Sequence, residues 1–309
     1  MNFIVFPGQG SQKIGMGKEL SDNFSEAKQV FEEVNDALNF NLTKVMWDGS
    51  DKEISLTSNA QPALMACSIA ALRVLNKITN KKLSDLTDYV CGHSLGEYTA
   101  MTATEVFSLN QCAKLLRLRG NAMQEAVPIG KGGMAALIGT NIETTKKIID
   151  KANSYGICDI ANDNSNVQVV ISGDILAVEI AMKLSKDLGI KKAVLLPVSA
   201  PFHCRLMKPA QIIMEEAFKK IDFKTPIVPI IPNVDVLPEN DPDKLKKNLI
   251  DQVTGTVRWR ETMEFAKKLG AKKIMELGSG KVLSGIAKRM IKNIITINIE
   301  TTEDFENFI

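Results

Sequence analysis

The stretch that most restricts this chain is Tyr89-Val90-Cys91 running into Gly92-His93-Ser94-Leu95-Gly96. The short apolar run reads as a buried strand, and the pattern after Gly96 reads as a helix to about Thr104. Glycines on both sides of a serine let strand turn sharply into helix, which sets the serine on a strained, exposed corner. The new helix starts there with unpaired N–H groups aimed at whatever binds. A serine that merely N-caps a helix is the plainer reading. The strand before and the helix after favour a nucleophile.

A serine hydroxyl is a weak nucleophile near neutral pH and needs an adjacent base. The chain offers two histidines, His93 and His203. His93 directly precedes Ser94, and side chains of neighbours diverge in a sharp turn, so its expected place is in support of the site. His203, in Ser199-Ala200-Pro201-Phe202-His203, is left as the base by elimination. No aspartate between Ser94 and His203 stands out as a third member. The expectation is a Ser–His pair whose imidazole is oriented by a carbonyl or an amide. A tetrahedral intermediate also needs two fixed donors for its oxyanion. The N–H of Leu95 is the first candidate. The second is the turn Pro7-Gly8-Gln9-Gly10, where glycine permits close backbone approach, although a plain strand–turn fits equally. The run Gly8 to Lys13 lacks both the third glycine of a dinucleotide fingerprint and a following G-K-[ST].

Leu109–Ala126 reads as a helix with an apolar stripe of Cys112, Leu115, Leu116, Ala122, Met123 and Ala126. Arg119 falls inside that stripe, whereas Arg117 lies toward the polar side. A buried guanidinium without a partner costs several kcal/mol, so Arg119 calls for an anion. A structural carboxylate such as Glu97 and a substrate carboxylate held by a two-pronged pair both meet that demand.

Around these features the chain reads as α/β. Phe3–Phe6, Ile227–Pro232 and Lys273–Leu277 are expected strands. Helices are expected near 21–38, 59–78, 207–221 and 281–291. The cluster Pro128-Ile129-Gly130-Lys131-Gly132-Gly133 marks a hinge. After it the pattern is strand, helix, strand, strand, helix, strand, the βαββαβ order of a ferredoxin-like unit. The expected division is a catalytic domain of residues 1–127 and 198–309 interrupted by an inserted subdomain, 128–197. Strands alternating with helices outside the insert point to a mostly parallel sheet covered on both faces. Val236–Lys247 has no assignment.

Composition narrows the classes further. The chain has 309 residues and a formal net charge of +2, with lysine pairs scattered along it, so neither nucleic acid nor an anionic membrane is an expected partner. Its five cysteines include no C-x-x-C pair, and two histidines are too few for a histidine-rich metal site. No metal is expected, and the setting is a reducing, cytoplasmic one. The N-terminal apolar run is too short and lacks the basic flank of a signal peptide, and no stretch has the length of a membrane span.

Taken in order, the segments Phe6-Pro7-Gly8-Gln9-Gly10-Ser11-Gln12, Gln61-Pro62-Ala63, Gly92-His93-Ser94-Leu95-Gly96-Glu97, Arg119-Gly120, Ala200-Pro201-Phe202-His203, Asn233-Val234-Asp235 and Gln252-Val253 resemble the malonyl-CoA:acyl carrier protein transacylase family of bacterial type II fatty acid synthesis. The resemblance covers essentially the whole chain. It implies an α/β-hydrolase-like large domain with a ferredoxin-like insert. It implies Ser94 as the acylated residue, His203 as the base, and Arg119 as the clamp on the malonyl carboxylate. It implies the N–H groups of Gln9 and Leu95 as the oxyanion hole. Gln252 is expected to orient the histidine ring through its main-chain carbonyl, and Gln61 to line the pocket. Phe202 resembles the malonyl-selective version, which leaves little room for a methyl branch. The implied partners are malonyl-CoA and acyl carrier protein, with coenzyme A thioester a substrate and no cofactor. The protein is expected to act as a monomer. A basic patch for the carrier is expected among Lys272, Lys273, Lys281, Lys288, Arg289 and Lys292.

Overall fold

A computed structural model describes residues 1–308; Ile309, the last residue of the expected catalytic domain, lies outside the described residues. The strands, in chain order, are β1 (Asn2–Phe6), β2 (Tyr89–Gly92), β3 (Gly132–Ile138), β4 (Cys158–Ser165), β5 (Gln168–Asp174), β6 (Lys192–Leu195), β7 (Lys273–Leu277) and β8 (Ile295–Ile299). They form two sheets. One has the order β2-β1-β7-β8 and is parallel throughout; the other has the order β4-β5-β3-β6 and is antiparallel. The fold is α/β, with a parallel sheet and a separate antiparallel one.

Strand β1 shows why the first sheet needs helices on both faces. Phe3, Ile4, Val5 and Phe6 are all buried. Side chains alternate across a strand, so Ile4 and Phe6 enter one core while Phe3 and Val5 enter another with Trp259, Met263 and Ile286. A parallel strand covered on both sides therefore reads as a continuous apolar run. The larger core is built around the Thr57–Thr79 helix, where small residues such as Ala60, Ala63, Ala66, Ala70 and Ala71 let neighbours approach closely. No helix of the described residues is long and apolar enough to cross a membrane.

The antiparallel sheet carries the expected order of strands and helices, with helices Ile142–Ala152 and Ile175–Asp187 on it. Strand β4 keeps pairing with β5 through Asn162 and Asp163 despite a bulge after Ile160. This sheet is tied to the parallel one's surroundings by main chain. Asp163 donates to Val257 O at 2.9 Å, and Val257 donates to Ala161 O at 2.9 Å.

The expected strand Ile227–Pro232 does not form. Among the described residues it makes only single bridges, of Ile230 to Val90 and to Glu239. Pro226, Pro229 and Pro232 recur every third residue and have no N–H to donate, so a ladder cannot propagate. The expected helix near 21–38 is two helices, Lys18–Asn23 and Ser25–Leu38, because Phe24 turns extended at φ −130°. Within the unassigned Val236–Lys247 stretch a helix begins, Pro242–Gln252. Asp241 caps it by accepting from Asp243 N and Lys244 N, and Pro242 occupies its first turn. Its last residue is Gln252. Strand β8 and helix Trp259–Lys268 were not anticipated from the sequence pattern.

Candidate active site

The parallel register sets the site. Phe6 of β1 lies opposite Gly92 of β2, so the turn beginning at Pro7 and the corner beginning at His93 leave the sheet side by side. Ligands of open parallel sheets sit beyond these carboxyl ends of the strands. The corner is tight. A Cβ on Gly92 would lie 2.0 Å from the Gly96 carbonyl, and one on Gly96 would lie 2.3 Å from the Phe6 carbonyl oxygen. No larger residue fits at either position without moving backbone. Ser94 between them holds φ 54° and ψ −111°, then Leu95 opens the Leu95–Ala103 helix.

Asn233 holds that strained corner. Its Oδ1 accepts from Ser94 N–H at 2.8 Å and its Nδ2 donates to Gly92 O at 2.7 Å. Strain of this kind persists only where the surroundings over-determine it. The Ser94 N–H is thereby consumed. The N–H groups of Gln9 and Leu95 have no intramolecular hydrogen-bond partner among the described residues. An oxyanion requires two such free donors, and these lie on the two turns that leave the sheet side by side.

His203 comes from the turn after Pro201, at φ 58°, and is buried. Its Nε2 is 2.7 Å from Ser94 Oγ and its Nδ1 is 2.9 Å from the main-chain O of Gln252. A carbonyl can only accept, so Nδ1 carries the hydrogen and Nε2 presents a lone pair to the serine. Burial, followed by the Arg119 charge, pushes the imidazole pKa down to about 3. The ring is therefore neutral at ordinary pH. We expect ring-proton NMR assigned to His203 to show no titration between pH 7.5 and 5, where a free imidazole with its pKa near 6.5 would change markedly. A midpoint near 6.5 would mean the ring is open to solvent. The sign for stability follows. Below 6.5 the unfolded chain binds a proton that the folded one refuses, so this contribution is lost as pH falls toward 3. Glu97 acts oppositely. Burial pushes its carboxyl up to about 7, so its contribution is lost as pH rises from 4.5 toward 7.

Arg119 sits on the Leu109–Glu125 helix, whose close approach to Ser58 is allowed by Gly120, where a Cβ would meet Ser58 Cα at 2.5 Å. Arg119 is 2% exposed. Its Nη1 donates to Gln61 Oε1 at 2.7 Å, and its Nη2 donates to Gln252 Oε1 at 2.9 Å and to Ser94 Oγ at 3.2 Å. Tyr98 offers its ring face 5.3 Å away. Every one of these contacts is uncharged, and no carboxylate among the described residues lies within ion-pair distance of Arg119. Of the two partners considered from the sequence, Glu97 does not pair with it directly. The positive charge is buried, beside the serine hydroxyl, without a contacting anion.

A cavity of about 530 Å³ opens over these groups, lined by Gln9, Gln61, Ser94, Arg119, Phe202 and His203 among others. Leu95 and Gln252 are buried and do not line it. Gln61 also connects the arginine to the first turn: its Nε2 donates to Thr57 Oγ1 at 3.0 Å, which donates to Gln9 Oε1 at 2.9 Å. His93 lines the cavity but faces away from the hydroxyl. Its Nε2 is 2.9 Å from Asn164 Oδ1 on β4, and its ring lies against Trp259. A smaller groove of about 270 Å³ shares Gln9, His93 and Leu196 with this cavity and is lined also by Asn164, Gln168 and Arg289. A larger hollow of about 610 Å³ elsewhere, beside Arg73 and Asp222, holds none of the expected site residues.

Two contributors were not legible as such from the sequence, Asn233 as the brace of the corner and the side chain of Gln252; Glu97, which accepts from both, was legible only as a candidate partner of Arg119. Asn233 is 139 residues from Ser94 in the chain, and no local pattern announces such a contact. Glu97 did carry a signal, being the one charged residue in the segment Leu95–Ala103.

Known proteins resemble this chain over nearly its whole length. The acyl transferase domain family matches residues 3–293. The malonyl CoA-acyl carrier protein transacylase of Bacillus subtilis is 40% identical over 304 residues, which is 98% of this chain and 94% of that one. The Escherichia coli K12 protein of the same name is 38% identical over 291 residues, 94% of this chain and 93% of that one. The crystal structure of acyl-carrier-protein-S-malonyltransferase from Bartonella henselae superposes with a TM-score of 0.97 at 48% identity, over 99% of this chain and 98% of that one. A malonyl-transacylase solved in complex with its type II PKS acyl-carrier protein superposes at 0.95 with 37% identity, over 99% of this chain and 98% of that one. A corner serine, an imidazole and a buried guanidinium thus stand in a chain that belongs to the malonyl-CoA:acyl carrier protein transacylase family of acyltransferases.

Proposed function

We propose that this protein moves a malonyl group from malonyl-CoA to the pantetheine thiol of acyl carrier protein, through a malonyl ester on Ser94. The observation that carries the reading is one oxygen, Ser94 Oγ, held both by a neutral imidazole and by a buried guanidinium that no anion contacts. His203 Nε2 takes the hydroxyl proton as Oγ attacks the thioester carbonyl. The N–H groups of Gln9 and Leu95 receive the oxyanion. As the C–S bond breaks, His203 returns the proton to the departing coenzyme A thiolate. The carrier's pantetheine thiol then gives its proton to His203 and attacks the ester, and the tetrahedral adduct collapses with the proton going back to Ser94. The free malonyl carboxylate pairs with Arg119. Phe202 narrows the pocket against a branch beside the carbonyl. The route uses no metal and no cofactor, coenzyme A thioester being a substrate.

Around that chemistry the reading is an α/β-hydrolase-like catalytic domain of residues 1–127 and 198–309 with a ferredoxin-like insert at 128–197. The sheet orders and the antiparallel unit between β3 and β6 support it. The enzyme would serve fatty acid synthesis as a cytoplasmic monomer. Arg289, which lines the smaller groove, is the first candidate on the basic patch for an acidic carrier. A serine esterase would use the same corner, but it would leave the Arg119 charge without a use. Mixing malonyl-CoA with the protein, with and without carrier protein bearing pantetheine, separates the two. Malonyl-carrier formation that outpaces release of free malonate supports transfer. Free malonate at the same rate, whether or not the carrier is present, contradicts it.

A further inference from the structure

Glu97 is fully buried three residues after Ser94, yet none of its atoms is used in the transfer chemistry. A buried carboxyl without a contacting cation is costly, so its reason must lie in the hydrogen bonds it accepts. Both fall on Oε2, from Asn233 N–H at 2.9 Å and from Gln252 Nε2 at 2.8 Å. Gln252 Nε2 also donates to the main-chain O of Ser94 at 3.0 Å. If the amide were turned over, its oxygen would face two acceptor oxygens and its NH2 would face a guanidinium. Glu97 and the Ser94 carbonyl therefore force Gln252 Oε1 toward Arg119 Nη2, while Gln61 holds Nη1. The placement has a second consequence. A carboxylate in direct contact with Arg119 would compete with a substrate carboxylate for the same N–H groups. One amide farther away, it orients the arginine and leaves its charge available.

We propose that Glu97 is a positioning residue for donor selection: as a fixed acceptor it orients the Gln252 amide, which holds Arg119 in the cleft. This rests on the reading of Arg119 as the malonyl clamp. The test measures acylation rates of Ser94 by malonyl-CoA and by acetyl-CoA, using rapid quench and intact mass. Glu97→Met keeps the size and removes the acceptor. It is expected to lower the malonyl-to-acetyl rate ratio by about tenfold or more, the scale of a lost hydrogen bond to a charged group. Glu97→Gln keeps an acceptor oxygen and is expected to restore most of the ratio. In an Arg119→Ala background, Glu97→Met should lower the ratio no further. Should Glu97→Met fail to fold, Gln252→Met breaks the same relay one step later and should give the same fall. An unchanged ratio in either methionine variant, or a Glu97→Gln protein as unselective as Glu97→Met, overturns the positioning role while leaving the transferase intact. Wild-type protein that takes no malonyl on Ser94 removes both.

Discussion

Ser94→Ala is expected to lower malonyl transfer by about four to six orders of magnitude, the scale seen when the nucleophile of a serine–histidine unit is removed. The substitution deletes the one oxygen that His203 and Arg119 share, 2.7 Å from Nε2 and 3.2 Å from Nη2. The fold should remain. The strained backbone at Ser94 is held by Asn233 through main-chain atoms, which alanine retains. The check is a carrier-dependent transfer assay beside a thermal melt. A folded variant that keeps its rate within about tenfold of wild type would place the acyl acceptor on another residue.

Arg119→Ala is expected to cost malonyl transfer about 30- to 1,000-fold in kcat/KM, the range for truncating one partner of a buried, hydrogen-bonded charge pair. Acetyl transfer should fall much less, because an acetyl group has no carboxylate to lose. Some loss is shared by both donors, since the amide oxygens of Gln61 and Gln252 are left unpaired in a buried place. The informative quantity is therefore the ratio of kcat/KM for malonyl-CoA to that for acetyl-CoA. Arg119→Lys should recover part of it, since a lysine restores charge without the two-pronged geometry. Equal losses for the two donors would mean that the guanidinium supports the site and does not select the substrate.

The sequence made the corner legible because its causes are local. Gly92 and Gly96 flank Ser94 within one turn, and the apolar run before them can only be a buried strand. Arg119 was legible as out of place, since one charge in an apolar stripe breaks a periodic pattern. What it touches was not legible. Gln61, Gln252 and Ser94 reach it from three different elements, and contact across 58 and 133 residues leaves no trace in spacing. The same limit hid Asn233. In the fold, the parallel strand near the start could be read from a continuous apolar run, and the one near Lys273 from Ile274, Met275 and Leu277 around Glu276. Ile227–Pro232 misled because it is as apolar as a strand, while its prolines deny the ladder. The Pro242–Gln252 helix had its signal in Asp241-Pro242, a cap followed by a first-turn proline, obscured by the mixed charges around it.

The most direct measurement follows wild-type protein by intact mass and peptide mapping, first with malonyl-CoA alone and then after adding carrier protein bearing pantetheine. One malonyl group should appear on the peptide containing Ser94 as coenzyme A is released, and the carrier should then remove it and gain the same mass. A malonyl group on any other residue, or a carrier that becomes malonylated while the protein never carries the group, would contradict the account.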